Sequence, residues 1–207
     1  MRNILIFGDS YSTFKGHIPN GYATYYPSLD VQNVEQTWWN RVVRLINGNL
    51  IHNNSWSGST ICYTGYNNSD CSKSNSFIYR YRTLKEEGFF DKNNIDTIFV
   101  FGGTNDSWAD VPLGEVKFSD WKEKDLFMVF PAIANFVSGV KADFPNADII
   151  VIINSDIKEE IQNTMEEIAK YFDVKFIRLS YIDKESGHPT AKGMEMIAEE
   201  VLRSLEV

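Results

Sequence analysis

The chain is poor in the residues that carry metal and disulfide chemistry. Among its 207 residues there are three histidines, His17, His52 and His188, and two cysteines, Cys62 and Cys71. No His-x-His or Asp-x-His spacing occurs, which is weak ground for a metal-dependent phosphoesterase. The cysteines lie in one polar stretch, where free thiols are the expected state and local pairing the alternative. Basic residues are also in deficit: 20 Lys and Arg against 28 Asp and Glu give a net charge of −8. A nucleic-acid surface needs clustered cations, so that class is excluded, and a basic membrane patch with it. No apolar run approaches the roughly 18 residues of a membrane span. Met1 and Arg2 lead straight into the first apolar run without the hydrophobic region of a signal peptide, so a cytoplasmic location is expected, or a secreted one if a leader was trimmed.

What remains is an ordinary globular composition, 43% hydrophobic and 23% charged. One substantial core, hence one domain over 1–207, is expected. Ile4 to Phe7 is too short for a helix and stops at Gly8, then Asp9 and Ser10 follow, which reads as a buried strand ending in a tight turn. Leu50 to Asn53, Thr97 to Phe101, Ile149 to Ile153 and Val174 to Leu179 read as four more strands. Helical periodicity predicts helices around Trp38 to Ile46, Phe77 to Glu87, Asp125 to Phe144, Ile161 to Phe172 and Met194 to Leu205, with Pro131 either in a first turn or at a kink. Tyr11 to Gln36, Asn54 to Ser76 and Thr104 to Lys124 read as long loops. Strands alternating with helices imply a three-layer α/β/α sandwich around a five-stranded parallel sheet.

A parallel sheet points its strand ends the same way, so Ser10, Gly58, Asn105 and His188 converge on one edge, where open α/β sheets bind ligands. Acyl transfer requires these types. A serine hydroxyl becomes a nucleophile when an imidazole removes its proton, and the imidazole works best when an acid fixes its other nitrogen. The backbone N–H groups of Ser10 and Gly58 and the Asn105 amide are candidate donors to the developing oxyanion. Taken singly, each is an unremarkable turn or cap residue.

Together, Gly8-Asp9-Ser10, the isolated Gly58, Gly103-Thr104-Asn105-Asp106 and His188-Pro189 resemble the four sequence blocks of the GDSL, or SGNH, hydrolases, in the family's order and across nearly the whole chain. The resemblance implies a flavodoxin-like fold and ester hydrolysis through a serine acyl-enzyme, without cofactor. The family's triad aspartate stands three residues before the histidine, where this chain has Glu185, with Asp183 five before. Either carboxylate, or a backbone carbonyl in their place, is a candidate to orient His188. Tyr11 stands where the family has leucine, a difference on which the mechanism does not depend. Asp9 and Asp106 are expected to hold loops.

Tyr22, Tyr25, Tyr63, Tyr66, Trp108 and Trp121 all fall in loops that follow the first three strands. Aromatic faces interleaved with Asn and Ser suit a sugar ring, and Tyr63 and Trp108 are the expected substrate contacts. The expected substrate is a small acyl ester, with an acetylated carbohydrate the foremost candidate. A non-catalytic glycan-binding module of the same fold, and acyl transfer to an acceptor other than water, are the other readings.

Overall fold

A computed structural model describes residues 1–205. β1 (Asn3–Gly8), β2 (Asn49–Ser55), β3 (Thr97–Phe101), β4 (Asp148–Ile153) and β5 (Lys175–Arg178) form one sheet in the order β2-β1-β3-β4-β5. Every neighbouring pair is parallel. Alternation along the strands divides the interior in two. Leu5, Phe7, Ile98, Val100, Ile149 and Val151 face α2 (Phe77–Glu86), α5 (Val129–Asp143) and α6 (Glu159–Tyr171). Ile4, Ile6, Phe99, Phe101, Ile150 and Ile152 face α1 (Trp38–Leu45) and α7 (Ala191–Ser204) on the opposite side. Because both faces are covered, the inner strands β1, β3 and β4 read as nearly continuous apolar runs instead of alternating ones.

Three helices, α1, α2 and α7, begin at side-chain caps. Thr37 accepts from the Asn40 N–H, Ser76 from that of Tyr79 and Thr190 from that of Gly193, each satisfying a donor that the first turn leaves free. α5 starts at Val129, later than its periodicity predicts. Pro131 lies in its first turn, and a proline ring clashes with the carbonyl four residues upstream, so the helix cannot extend back through Phe127. Residues 123–127 form a 3-10 turn instead, with the Asp125 carboxylate accepting from the Lys122 N–H at 2.8 Å.

Three short elements lie in stretches expected to be loop or helix cap: α3 (Phe89–Lys92), α4 (Thr104–Trp108), and a hairpin of β6 (Lys184–Glu185) with β7 (His188–Pro189). The hairpin turn is Ser186-Gly187, with φ of +50° and +78°, the left-handed pair that matches strand twist in two-residue turns.

At the carboxyl edge of the sheet, Gly8 ends β1 where a Cβ would lie 2.5 Å from Ser55 Oγ and 2.6 Å from Ser12, so only glycine allows the two strand ends to approach. Arg80 of α2 is fully buried beside them. Its guanidinium donates to the Gly8 carbonyl (3.2 Å), to the carbonyl and side chain of Asn54, to Ser59 Oγ (3.1 Å) and to the Asn75 carbonyl (2.9 Å). Burial pulls its pKa down to about 9, still above neutrality. An unpaired buried acceptor costs roughly 1–3 kcal/mol, and Arg80→Met strands several. Chemical denaturation is expected to show that variant losing more than about 2 kcal/mol of unfolding free energy; an unchanged midpoint and slope would remove the guanidinium from the structural account.

Candidate active site

Ser10 opens the 3-10 turn Ser10–Ser12 directly after β1 and is almost completely buried. Asp9 caps that turn: its carboxylate accepts from the Tyr11 N–H at 3.0 Å. Burial pushes the Asp9 carboxyl up to about 7, the Tyr11 N–H opposing the shift. As first residue of the turn, Ser10 has a backbone N–H with no acceptor inside it.

Its hydroxyl meets the hairpin from the other end of the chain. Ser10 Oγ lies 3.0 Å from His188 Nε2, and His188 Nδ1 lies 3.2 Å from the Ser186 carbonyl. A carbonyl only accepts, so Nδ1 carries the hydrogen and Nε2 presents its lone pair to the serine, the tautomer a general base requires. Burial lowers the His188 pKa, the Ser186 carbonyl opposes that shift, and the charge of Lys184 adds to it.

Neither carboxylate considered as orienting acid is bonded to His188. Asp183 accepts from the Thr190 hydroxyl and, through its carbonyl, from the Thr190 N–H, which ties it to the start of α7. Glu185 lies opposite His188 in the backbone register of the hairpin and is exposed to solvent. What surrounds the imidazole is aromatic. Tyr25 stacks on it with centroids 3.5 Å apart and planes at 6°, while Tyr11 and Trp108 approach at 5.6 and 5.7 Å.

Tyr11, which stands where the family has leucine, reaches the hairpin itself. Its hydroxyl donates to the Gly187 carbonyl at 2.5 Å, and that of Tyr26 to the Pro189 carbonyl at 2.6 Å, so two N-terminal tyrosines hold the hairpin. Lys184 lies over the Tyr11 ring and donates to Asn154 and Asp156, both at 2.9 Å. The signal for this hairpin was present as Ser186-Gly187, a turn-forming pair between two short extended dipeptides.

The other predicted donors sit on the same edge. Gly58 has φ +79°, a backbone only glycine adopts without strain, and a Cβ there would meet nothing within 4 Å. Its N–H has no hydrogen-bond partner among the described residues. Asn105 of α4 is buried; Nδ2 donates to the Ser59 carbonyl at 3.0 Å, and Oδ1 accepts from the Tyr66 hydroxyl at 2.8 Å. Asp106 accepts from the N–H groups of Ile61 and Cys62 at 2.9 to 3.2 Å, pinning the Gly58 loop to α4. The Ser59 hydroxyl is held by Arg80, so this loop is fixed from both sides.

The two expected substrate aromatics part company. Trp108 is 40% exposed and borders His188. Tyr63 is 1% exposed, its ring against Phe127 and its hydroxyl accepting from Arg82, so no face is left for a ligand. Tyr66, three residues on, reaches the site instead. His17 and His52 line a separate cleft along the outer edge of β2. Among the described residues, no three His, Cys, Asp or Glu side chains are grouped to hold a metal ion. Cys62 and Cys71 are buried thiols.

Residues 2–205 match the family model described as GDSL-like lipase/acylhydrolase. No curated protein matches the sequence significantly. Among solved structures, a Bacteroides ovatus protein named as a GDSL-like lipase is 40% identical, with 100% of this chain and 98% of that one covered and a TM-score of 0.92. A namesake from Bacteroides uniformis is also 40% identical, covering 99% and 95%, with a TM-score of 0.91. A family two carbohydrate esterase from Clostridium thermocellum, solved with cellohexaose, shares the fold at 19% identity and a TM-score of 0.69, over 99% of this chain and 63% of that one. The serine at the end of the first strand, the matched length and the shared architecture agree, and the chain belongs to the GDSL-like lipase/acylhydrolase family of ester hydrolases.

Proposed function

We propose that the protein hydrolyses a small acyl ester, an acetyl group on a carbohydrate being the substrate that fits best, through a Ser10–His188 dyad. The 3.0 Å approach of Ser10 Oγ to His188 Nε2 carries this reading. His188 takes the hydroxyl proton as Ser10 Oγ bonds to the ester carbonyl carbon. The carbonyl oxygen gains negative charge facing the Ser10 and Gly58 N–H groups and Asn105 Nδ2, donors already in place before the charge appears. As the intermediate collapses, the C–O bond to the alcohol breaks and His188 returns the proton to the leaving oxygen. A water then gives its proton to His188 and attacks the acyl-serine, releasing the carboxylic acid and restoring Ser10.

Among the described residues, no carboxylate is hydrogen-bonded to the imidazole that becomes charged in these steps. The Ser186 carbonyl accepts its Nδ1–H and the Tyr25 face lies parallel to the ring, so a carbonyl dipole and a π-surface take the place of a charge. Support for a carbohydrate comes from the rim. The Tyr22 and Trp56 rings lie 4.2 Å apart, Trp108 and Tyr66 are partly exposed, and Asn and Ser side chains intervene. Such faces stack on the apolar side of a pyranose while its hydroxyls find polar partners. The carbohydrate esterase solved with cellohexaose has the same fold.

Acetate release from acetylated sugars is expected to exceed turnover of long-chain esters, and Ser10→Ala to abolish both; a clear long-chain preference overturns the substrate assignment. Losing a triad acid typically costs about four orders of magnitude in turnover, whereas Asp183→Asn and Glu185→Gln are each expected to retain most activity on p-nitrophenyl acetate. The same assay over pH tests the base. The active form is the neutral imidazole and its pKa is lowered, so activity is lost on acidification only below the ordinary imidazole range of about 6.5. An acid limb above that range would place a carboxylate against His188.

A further inference from the structure

Tyr66 reaches the edge of the site on an unusual support. Residues 63–71 form a tongue closed by the Thr64–Asp70 bridge and by hydrogen bonds from the Cys71 N–H to the Tyr63 carbonyl (2.7 Å) and the Gly65 N–H to the Ser69 carbonyl (2.8 Å). At its tip, Asn67 and Asn68 are both left-handed, with φ of +55° and +56°, a conformation that asparagine tolerates better than most side chains. Thr64 Oγ1 ties the base to the Phe127 carbonyl at 2.8 Å. A well-tethered turn thus delivers one side chain, and its hydroxyl donates to Asn105 Oδ1 at 2.8 Å.

A primary amide has two N–H bonds and one carbonyl oxygen to place. In Asn105 the Ser59 carbonyl takes one N–H and the Tyr66 hydroxyl occupies the oxygen. The second N–H has no partner among the described residues. Both contacts select the same orientation: with the amide flipped, oxygen would face the Ser59 oxygen. Donation to the amide oxygen also draws electron density from its nitrogen, making the unspent N–H a stronger donor. Burial, with the carboxyls of Asp9 and Asp106 nearby, raises the Tyr66 pKa, so the hydroxyl keeps the proton it donates.

We infer that Tyr66 is a positioning residue for the proposed hydrolysis, its hydroxyl orienting and polarising the Asn105 amide that faces the developing oxyanion. The inference rests on the esterase reading above. It assigns to a rim tyrosine an effect on turnover instead of one on substrate binding. The ring alone does not supply it, so Tyr66→Phe isolates the hydroxyl, and the 39% exposure of Tyr66 makes that change mild for folding.

The test is the steady-state hydrolysis of p-nitrophenyl acetate by wild type, Tyr66→Phe, Asn105→Ala and the double variant. Tyr66→Phe is expected to lower kcat roughly three- to tenfold, the size of one net hydrogen bond, with KM changed by less than about twofold. In the Asn105→Ala background the same change is expected to cost nothing further, because its target is gone. An unchanged kcat in Tyr66→Phe, or an equal loss in both backgrounds, overturns the inference. Ser10→Ala separates this from the parent reading: turnover that survives it sinks the esterase mechanism, while Ser10-dependent turnover indifferent to Tyr66→Phe sinks only the role given to Tyr66.

Discussion

A guanidinium buried at the carboxyl edge of the sheet is the contact on which the site depends. Parallel strands end there in carbonyls with no further ladder to join, and such groups need partners when buried. Arg80 binds the end of β1 through Gly8, the end of β2 through Asn54, and the Gly58 loop through Ser59. These are the segments that carry Ser10 and the Gly58 N–H. One rigid, five-donor fork fixes their separation, which a flexible lysine could not do with equal geometry. Asp106 completes the arrangement from the other side by bonding the same loop to α4 and so to Asn105.

The electrostatics follow from that packing. With Ser10, Asn105, Asp9 and Asp106 all buried, charge in this region is costly, and the protonation states shift toward neutrality. Burial raises the pKa of Asp9 and of Asp106 and lowers that of His188. In the proposed hydrolysis a neutral imidazole beside a neutral hydroxyl would be a base in its working state. The imidazolium formed in that reaction would face the Ser186 carbonyl and the Tyr25 ring, both already in position. Such preorganised dipoles stabilise without the reorganisation that solvent would need.

The sheet was legible in the sequence because its strands are buried on both faces. Ile4 to Phe7 and Ile149 to Ile153 are apolar without interruption, and their β-branched and aromatic content excludes little else. The placement of Ser10 and Asn105 at strand ends followed from that alone. What escaped was set by tertiary contacts. Nothing local distinguishes Tyr63, whose ring is taken into the core, from Tyr66, which points back at Asn105, because the difference lies in how residues 63–71 fold on Leu126 and Phe127. For His188 the sequence leaves Glu185, Asp183 and a backbone carbonyl open, and only the Ser186-Gly187 turn decides that a backbone oxygen reaches Nδ1. Tyr11 stands in the sequence only as a departure from the family's leucine, and its contact with the hairpin is invisible locally because the partner lies 176 residues away.

That last span makes the site a property of long-range tertiary structure. Tyr11 and Tyr26 grip the hairpin that carries His188, and Ser10 adjoins Tyr11, so the 3.0 Å contact between hydroxyl and imidazole exists only while these distant bonds hold. Local loosening of the hairpin would part the two groups without unfolding the sheet.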